Sequence, residues 1–299
     1  MKKTLAAVAV LGAFAGSALA ADVTLYGRVN LGVNYLHTDD GSKTESSFSL
    51  NSGDASASRF GLKGSEQISE GLTVGFQLEQ RFNADDGRNS ESDKAFRGES
   101  RLYVATDFGT LHMGRFGALD SAAGSLDLVG GLSAMGTGYG DIIGDQGRVM
   151  KTLGRMDNSI AYTSPEFAGV TVSAMTSLKN NTSNGKFEEY EEFEGEEGSS
   201  DADRYYGLGV KGQWGVSTSV AAPLASGTLE AAVAYGVKTA EEVNKDDVDT
   251  KVLNVGVAYK YPLSKRTYVY AGAGYDQEKT DGKDKVKKVE AISGIVHSF

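Results

Sequence analysis

The chain has 299 residues, with 39 glycines, 14 tyrosines, three prolines and no cysteine. Its 30 basic and 40 acidic residues leave a formal charge of −10, which argues against nucleic acid as a partner, and the lack of cysteine excludes disulfides. No stretch approaches the roughly 18 to 20 uninterrupted apolar residues of a membrane-spanning helix, so backbone pairing and packing must hold the fold.

Met1 to Ala20 has Lys2 and Lys3, an apolar run from Leu5 to about Gly16, and small residues at Ala18 and Ala20. This is the pattern of a secretory signal, with cleavage expected before Ala21. Residues 21–299 are then one exported unit of 28 basic and 40 acidic residues, or −12. No Pro/Ser-rich linker and no sustained helical period divides it.

Apolar and polar residues alternate in a series of segments separated alternately by short and long connections. Strands are predicted over Val23 to Leu36, a second segment ending in SRFGLKGSE (Ser58 to Glu66), Leu72 to Phe82, Arg97 to Thr106, Thr110 to Phe116, Asn158 to Ser164 and Val170 to Ser177. Further strands are predicted over Arg204 to Trp214, Thr228 to Lys238, Thr250 to Tyr261, Thr267 to Lys279 and Val286 to Phe299. Polar loops are predicted over His37 to Glu45 and Asn83 to Lys94. Gly215 to Gly227 reads either as a long turn or as a hidden short pair. Twelve clear strands with short turns at one end and long loops at the other describe an up-and-down antiparallel arrangement.

The faces decide between two all-β architectures. In the first strand Val23, Leu25, Val29, Leu31 and Val33 share one side, while Thr24, Tyr26, Arg28, Asn30 and Asn34 share the other. Leu72, Val74, Phe76, Leu78 and Phe82 likewise oppose Thr73, Gln77, Glu79 and Arg81. Phe60 and Leu62 oppose Arg59 and Lys63, and Leu253, Val255, Val257 and Tyr259 oppose Asn254 and Lys260. A soluble sheet with one dry face also alternates. Mid-strand charges on the polar face, an export signal and no helix to cover a sheet favour a transmembrane β-barrel, apolar outside and wet inside. Phe299, with Ile295 and His297 at the same parity, would set an aromatic ring at the membrane interface.

VTLYGRVNLGV, SRFGLKGSE, GLTVGFQLE, DFGTLHMGRF, RMDNSIAYTSPEFAGV, YPLSKRTYVYAGAGY and the closing IVHSF occur in order from Val23 to Phe299. In these the chain resembles the general, non-specific porins of Gram-negative outer membranes, most of all the neisserial and Burkholderia type. The resemblance implies an outer-membrane β-barrel, usually of 16 strands and usually a homotrimer, whose third external loop folds inward. The mature chain is shorter than such porins usually are, and pore width grows with strand number.

Gly117 to Arg155 occupies the place of that constriction loop. It combines glycine and small residues with Leu126, Leu128, Leu132, Met135, Ile142 and Ile143, and carries Asp120, Asp127, Asp141 and Asp145. So long and so apolar a loop is expected to pack its aliphatics on the wall and turn its carboxylates to the opening. The wall would oppose them with Arg28, Arg59, Lys63, Arg81 and Arg101, giving a transverse field that filters solutes by size and charge. Arg115 shares the parity of Leu111 and Met113, so it faces the pore only if its strand bends near Gly114.

The acidic run FEEYEEFEGEE, Phe187 to Glu197, is expected on an external loop, either as solvated surface or as a gatherer of cations near lipopolysaccharide. GLGVKG (Gly207 to Gly212) matches a dinucleotide fingerprint by letter but lies in a strand pattern with no helix after it. His37, His112 and His297 lack metal-ligand spacing, and no nucleophile with a base can be assembled, so no cofactor, metal or enzyme activity is expected. The expected partners are outer-membrane lipid and lipopolysaccharide, other copies of the chain, and small hydrophilic solutes and ions. Three functions fit: a general diffusion channel, a channel of the same fold tuned to one solute class, or a plugged structural or adhesive barrel.

Overall fold

The computed structural model describes residues 23–90, 94–119, 121, 125–126, 135, 138–145, 154–166, 171–178, 205–206, 213–240 and 248–299. The expected signal segment, the acidic run 187–197 and the 207–212 motif lie outside these residues.

The described chain is all β. Its strands are β1 (Thr24–Asp39), β2 (Thr44–Ser52), β3 (Arg59–Ser69), β4 (Leu72–Arg81), β5 (Glu99–Thr106), β6 (Gly109–Gly117) and β7 (Arg155–Thr163). They continue as β8 (Ser173–Ser177), β9 (Tyr205–Tyr206), β10 (Gln213–Leu224), β11 (Gly227–Ala240), β12 (Val248–Pro262), β13 (Thr267–Thr280) and β14 (Lys285–Ser298). All lie in one antiparallel sheet, ordered β10-β11-β12-β13-β14-β1-β3-β4-β5-β6-β7-β8-β9, with β2 paired to β1 above β3. First and last strands are neighbours, from Arg28 opposite Ser298 to Asp39 opposite Lys287. β2 and β3 are two lengths of one stave, because both pair with the same edge of β1, over Leu31–Asp39 and Thr24–Arg28 respectively.

β9 and β10 lie at the two ends of this path and are not paired with each other among the described residues, so the described ladder is not closed. Alternating directions round the path make these two segments run the same way.

Several boundaries differ from the sequence reading. Gly215 to Gly227 is neither a long turn nor a hidden pair. Gln213–Leu224 forms the strand β10, paired with β11 from Gln213 opposite Lys238 to Leu224 opposite Gly227, and the turn is Ala225 and Ser226 alone. Its Ser, Thr and Ala residues alternate too weakly in hydropathy to announce a strand. The polar loop predicted over His37 to Glu45 is a hairpin, with β1 running to Asp39 and β2 starting at Thr44. There the strands carry polar residues on both faces, which hides their period.

The faces are inverted relative to a soluble sheet. Leu25 is 58% exposed and Leu102 45%, with Val33, Phe60, Val233, Val255 and Ile295 exposed alongside them. Asn30, Asn34, Glu79, Glu99, Glu230, Asn254, Asp276 and Glu290 are buried on the other face. Polar side chains inside and aliphatic ones outside are what a wall between hydrocarbon and water requires. At the seam, the backbone of Phe299 exchanges hydrogen bonds with Gly27 (3.0 and 3.2 Å), and the Phe299 ring takes the space that a Cβ on Gly27 would fill.

Candidate functional site

The inner face carries an arginine ladder. β-register sets Arg28 of β1 opposite Arg59 of β3, and Arg59 opposite Arg81 of β4. Side chains at directly paired positions stand only about 5 Å apart at Cβ, so three like charges at one level need counter-groups. Glu79 supplies one: its Oε1 lies 3.4 Å from Arg59 Nη1 and 3.5 Å from Arg81 Nε, and its Oε2 accepts from the Tyr26 hydroxyl at 3.3 Å. Among the described residues one carboxylate stands against three guanidiniums here, a net positive level.

Toward the short-turn end, Arg101 of β5 pairs through Nε with Glu99 (3.2 Å), and donates from Nη2 to Gln77 (3.1 Å) and from Nη1 to His112 Nδ1 (2.9 Å). Lys63, exposed on the same face, sits 5.4 Å from the centre of the Tyr26 ring.

Arg115 is brought inside by a bend. A bulge interrupts the β6–β7 register between Gly114 and Phe116, and Gly114 sits at φ +125°, which favours glycine. Arg115 is then buried, with Nη1 donating to Asp157 at 2.5 Å and Nε to the Arg97 carbonyl at 3.2 Å. Asp157 also accepts from Lys94 Nζ at 2.6 Å. Arg115 is thus committed to an internal ion pair rather than free at an opening.

The described parts of the connection between β6 and β7 rest on the inner face at two places. At one wall Ser125 donates from N and Oγ to Glu99 (2.7 and 2.6 Å), and Leu126 packs on Phe116 and Ala161. The other end, residues 138–145, is bound to β11, β12 and β14. Tyr139 donates to Glu230 of β11 at 2.7 Å, and Asn254 of β12 donates to the Ile142 carbonyl at 2.7 Å. Glu290 of β14 accepts from the backbone of Asp141 (2.9 and 3.0 Å) and Ile142 (2.9 Å), and from Asn34 Nδ2 (2.6 Å). Burial first, then Glu230, raise the Tyr139 phenol above its ordinary range and keep it a donor.

Packing completes the anchor. Met135, Tyr139, Ile142 and Ile143 form a cluster with Ala232, Ala258, Tyr270, Ile292 and Val296 of the wall. Gly256 lets the loop backbone lie flush, because a Cβ there would come within 2.3 Å of the Gly144 nitrogen. Asp141 is exposed beside this anchor, and Asp145 is half-buried. Asp120 and Asp127 lie outside the described residues.

Sequence reasoning expects Leu126, Met135, Ile142 and Ile143 to pack on the wall, as they do, but misses the polar anchors. Glu230 and Glu290 carry a usable signal, since each is the lone acid among the residues of its strand. Arg97 and Arg155 fall at the edge of predicted strands or outside them, and Tyr139 carries no periodic signal. Among the described residues no cluster of His, Cys, Asp and Glu is arranged to hold a metal ion.

Comparison with known proteins agrees with this architecture. A family model described as Gram-negative porin matches residues 6–238. An outer membrane porin protein of Bordetella pertussis is 33% identical over 183 residues, 56% of this chain and 46% of that protein, so the match spans about half its length. Major outer membrane protein P.IB of Neisseria lactamica is 28% identical over 352 aligned positions covering all of both chains. Among solved structures, an anion-selective porin from Comamonas acidovorans aligns with a TM-score of 0.62 at 18% identity, over 94% of this chain and 100% of that one, a likeness of fold.

Proposed function

The chain belongs to the Gram-negative porin family, a family of the outer membrane, and from that premise we propose that it is a passive diffusion channel for ions and small hydrophilic solutes, narrowed by the inward loop and favouring anions at its narrowest level. The observation that carries the reading is the ladder of Arg28, Arg59 and Arg81, in register on the inner face with Glu79 as the carboxylate between them. Ions crossing a narrow pore respond to the charges within a Debye length, about 8 to 10 Å, rather than to the charge of the whole chain. The local positive level therefore outweighs the overall acidity.

On this reading Asp141 and Asp145 border the opening on the loop side, and the inner face needs no reacting group, since transport is down a gradient. The chain assembles as a homotrimer embedded in lipid and lipopolysaccharide. Planar bilayers separate the alternatives. Ohmic steps with a reversal potential on the chloride side in a KCl gradient support the proposal. A reversal on the potassium side refutes the anion preference. Block by one solute class indicates a specific channel, and silence a plugged barrel.

A further inference from the structure

One stave of the wall is interrupted. Between β2 and β3, residues 53–58 leave the stave and turn into the interior. Gly53, at φ +96°, opens the detour, and the hydroxyls of Ser52 and Ser58 meet at 3.0 Å across its neck. Ser58 Oγ also joins the detour to β1, accepting from Asn30 N at 3.0 Å and donating to Asn30 O at 3.2 Å. The tip then touches both the inward loop and the arginine ladder. On one side the Asp54 carbonyl accepts from Gly140 N of the inward loop at 2.7 Å. On the other, Ser56 Oγ accepts from Arg28 Nη1 at 2.8 Å and from Arg59 Nη2 at 2.9 Å.

A serine hydroxyl has two acceptor lone pairs, and here each is aimed at by a guanidinium. Arg59 is further fixed through Nε to the Ala57 carbonyl at 3.2 Å, and the Ser56 carbonyl accepts from Asn30 Nδ2 at 3.2 Å. Two like charges that would otherwise separate toward solvent are thereby tied to one oxygen on a segment that is itself tied at neck and tip. Glu79 compensates Arg59 directly, whereas the Arg28 guanidinium is held by Ser56.

We propose that this detour is a second constriction element and that Ser56 is a positioning residue for charge selectivity, holding Arg28 and Arg59 toward the permeant ion. The inference rests on the anion-favouring channel proposed above and deepens it. By Coulomb's law at water-like permittivity, withdrawing a unit charge from about 4 Å to about 8 Å of an ion weakens its preference roughly two-fold. The same step relaxes the repulsion of a cation by the same factor, so loosening the guanidiniums lowers the chloride-to-potassium permeability ratio about four-fold or more.

The test is the reversal potential in a KCl gradient for the wild type, Ser56→Ala, Ser56→Thr, Ser56→Asp and Arg28→Glu, each first checked for heat-modifiable migration on a gel. Ser56→Ala is expected to lower the ratio by that amount, Ser56→Thr to retain it, and Ser56→Asp to lower it further by setting a carboxylate between the two arginines. Unchanged ratios in both Ser56→Ala and Ser56→Asp, with Arg28→Glu shifting the potential, overturn the role of Ser56 and leave the channel reading standing. A wild type that prefers potassium overturns the channel reading itself. If Ser56→Ala does not assemble, Ser56→Asp decides alone, since an assembled channel with an unaltered ratio refutes the inference.

Discussion

Replacing Glu290 by alanine removes the acceptor on which the inward loop rests. In the native chain its carboxylate, wholly buried, receives Asp141 N, Ile142 N and Asn34 Nδ2. The truncation leaves three donors without their partner, and each buried unsatisfied donor costs about 1 to 3 kcal/mol. The Tyr139–Glu230 bond and the packing of Ile142 and Ile143 survive. Partial undocking also lets water reach the freed groups, so the lower end of the sum, about 3 kcal/mol, is the relevant estimate for the docking equilibrium. That shift multiplies the undocked population by about 150. Single-channel recording is the assay: Glu290→Ala should show larger conductance and more open-channel noise, while heat-modifiable migration on a gel is kept. Conductance and noise identical to wild type would refute the idea that Glu290 holds the loop.

Other perturbations probe separate parts of the account. Gly256→Val pushes a side chain into the Gly144 backbone, so it should displace residues 138–145 and change conductance in the same sense as Glu290→Ala; no change would show that the loop does not lie on the wall there. Asp157→Ala strands the buried Arg115 and releases Lys94, and removing one partner of a buried pair costs about 3 to 5 kcal/mol. A falling temperature of heat dissociation on gels would record this loss, and an unaltered temperature would contradict it. At the β1–β2 hairpin, Asp40 accepts from Ser42 N (2.9 Å), Ser42 Oγ (2.8 Å) and Lys43 N (2.7 Å), bonds that hold its carboxyl below the ordinary 3.8. The stabilisation is present above pH 3.8 and lost as pH falls through the lower folded value, so hydrogen-exchange protection of these two amides should persist down to about pH 4 and then decline. Protection already lost near pH 6 would contradict the assignment.

The strands most legible in the sequence are those whose two faces differ most. β1 and β12 set aliphatics against Asn and Lys at period 2, and the structure exposes Leu25, Val33, Val255 and Val257 while it buries Asn30, Asn34 and Asn254 on the other face. β10 is hard to read because Ser, Thr, Ala and Gly pack equally well on either face. The hairpin end of β1 and β2 resembles a loop because it is polar on both faces. Parity shows that Arg115 needs a bend near Gly114, and the bulge supplies it, but no pattern foretells that Asp157 then claims the side chain. The detour at residues 53–58 leaves no trace, since GDASAS reads as any polar turn. Which side chains meet on the inner face depends on the register between neighbouring strands, as for Arg28, Arg59 and Arg81, and one strand's period cannot supply that.

Thiol labelling in reconstituted vesicles tests the inverted faces most directly, because the native chain has no cysteine to confuse the readout. A membrane-impermeant reagent should modify Lys63→Cys, on the inner face, and leave Leu102→Cys and Val255→Cys untouched within the bilayer. Modification of the two outer positions with protection of position 63 would contradict a wall that meets hydrocarbon outside and water inside.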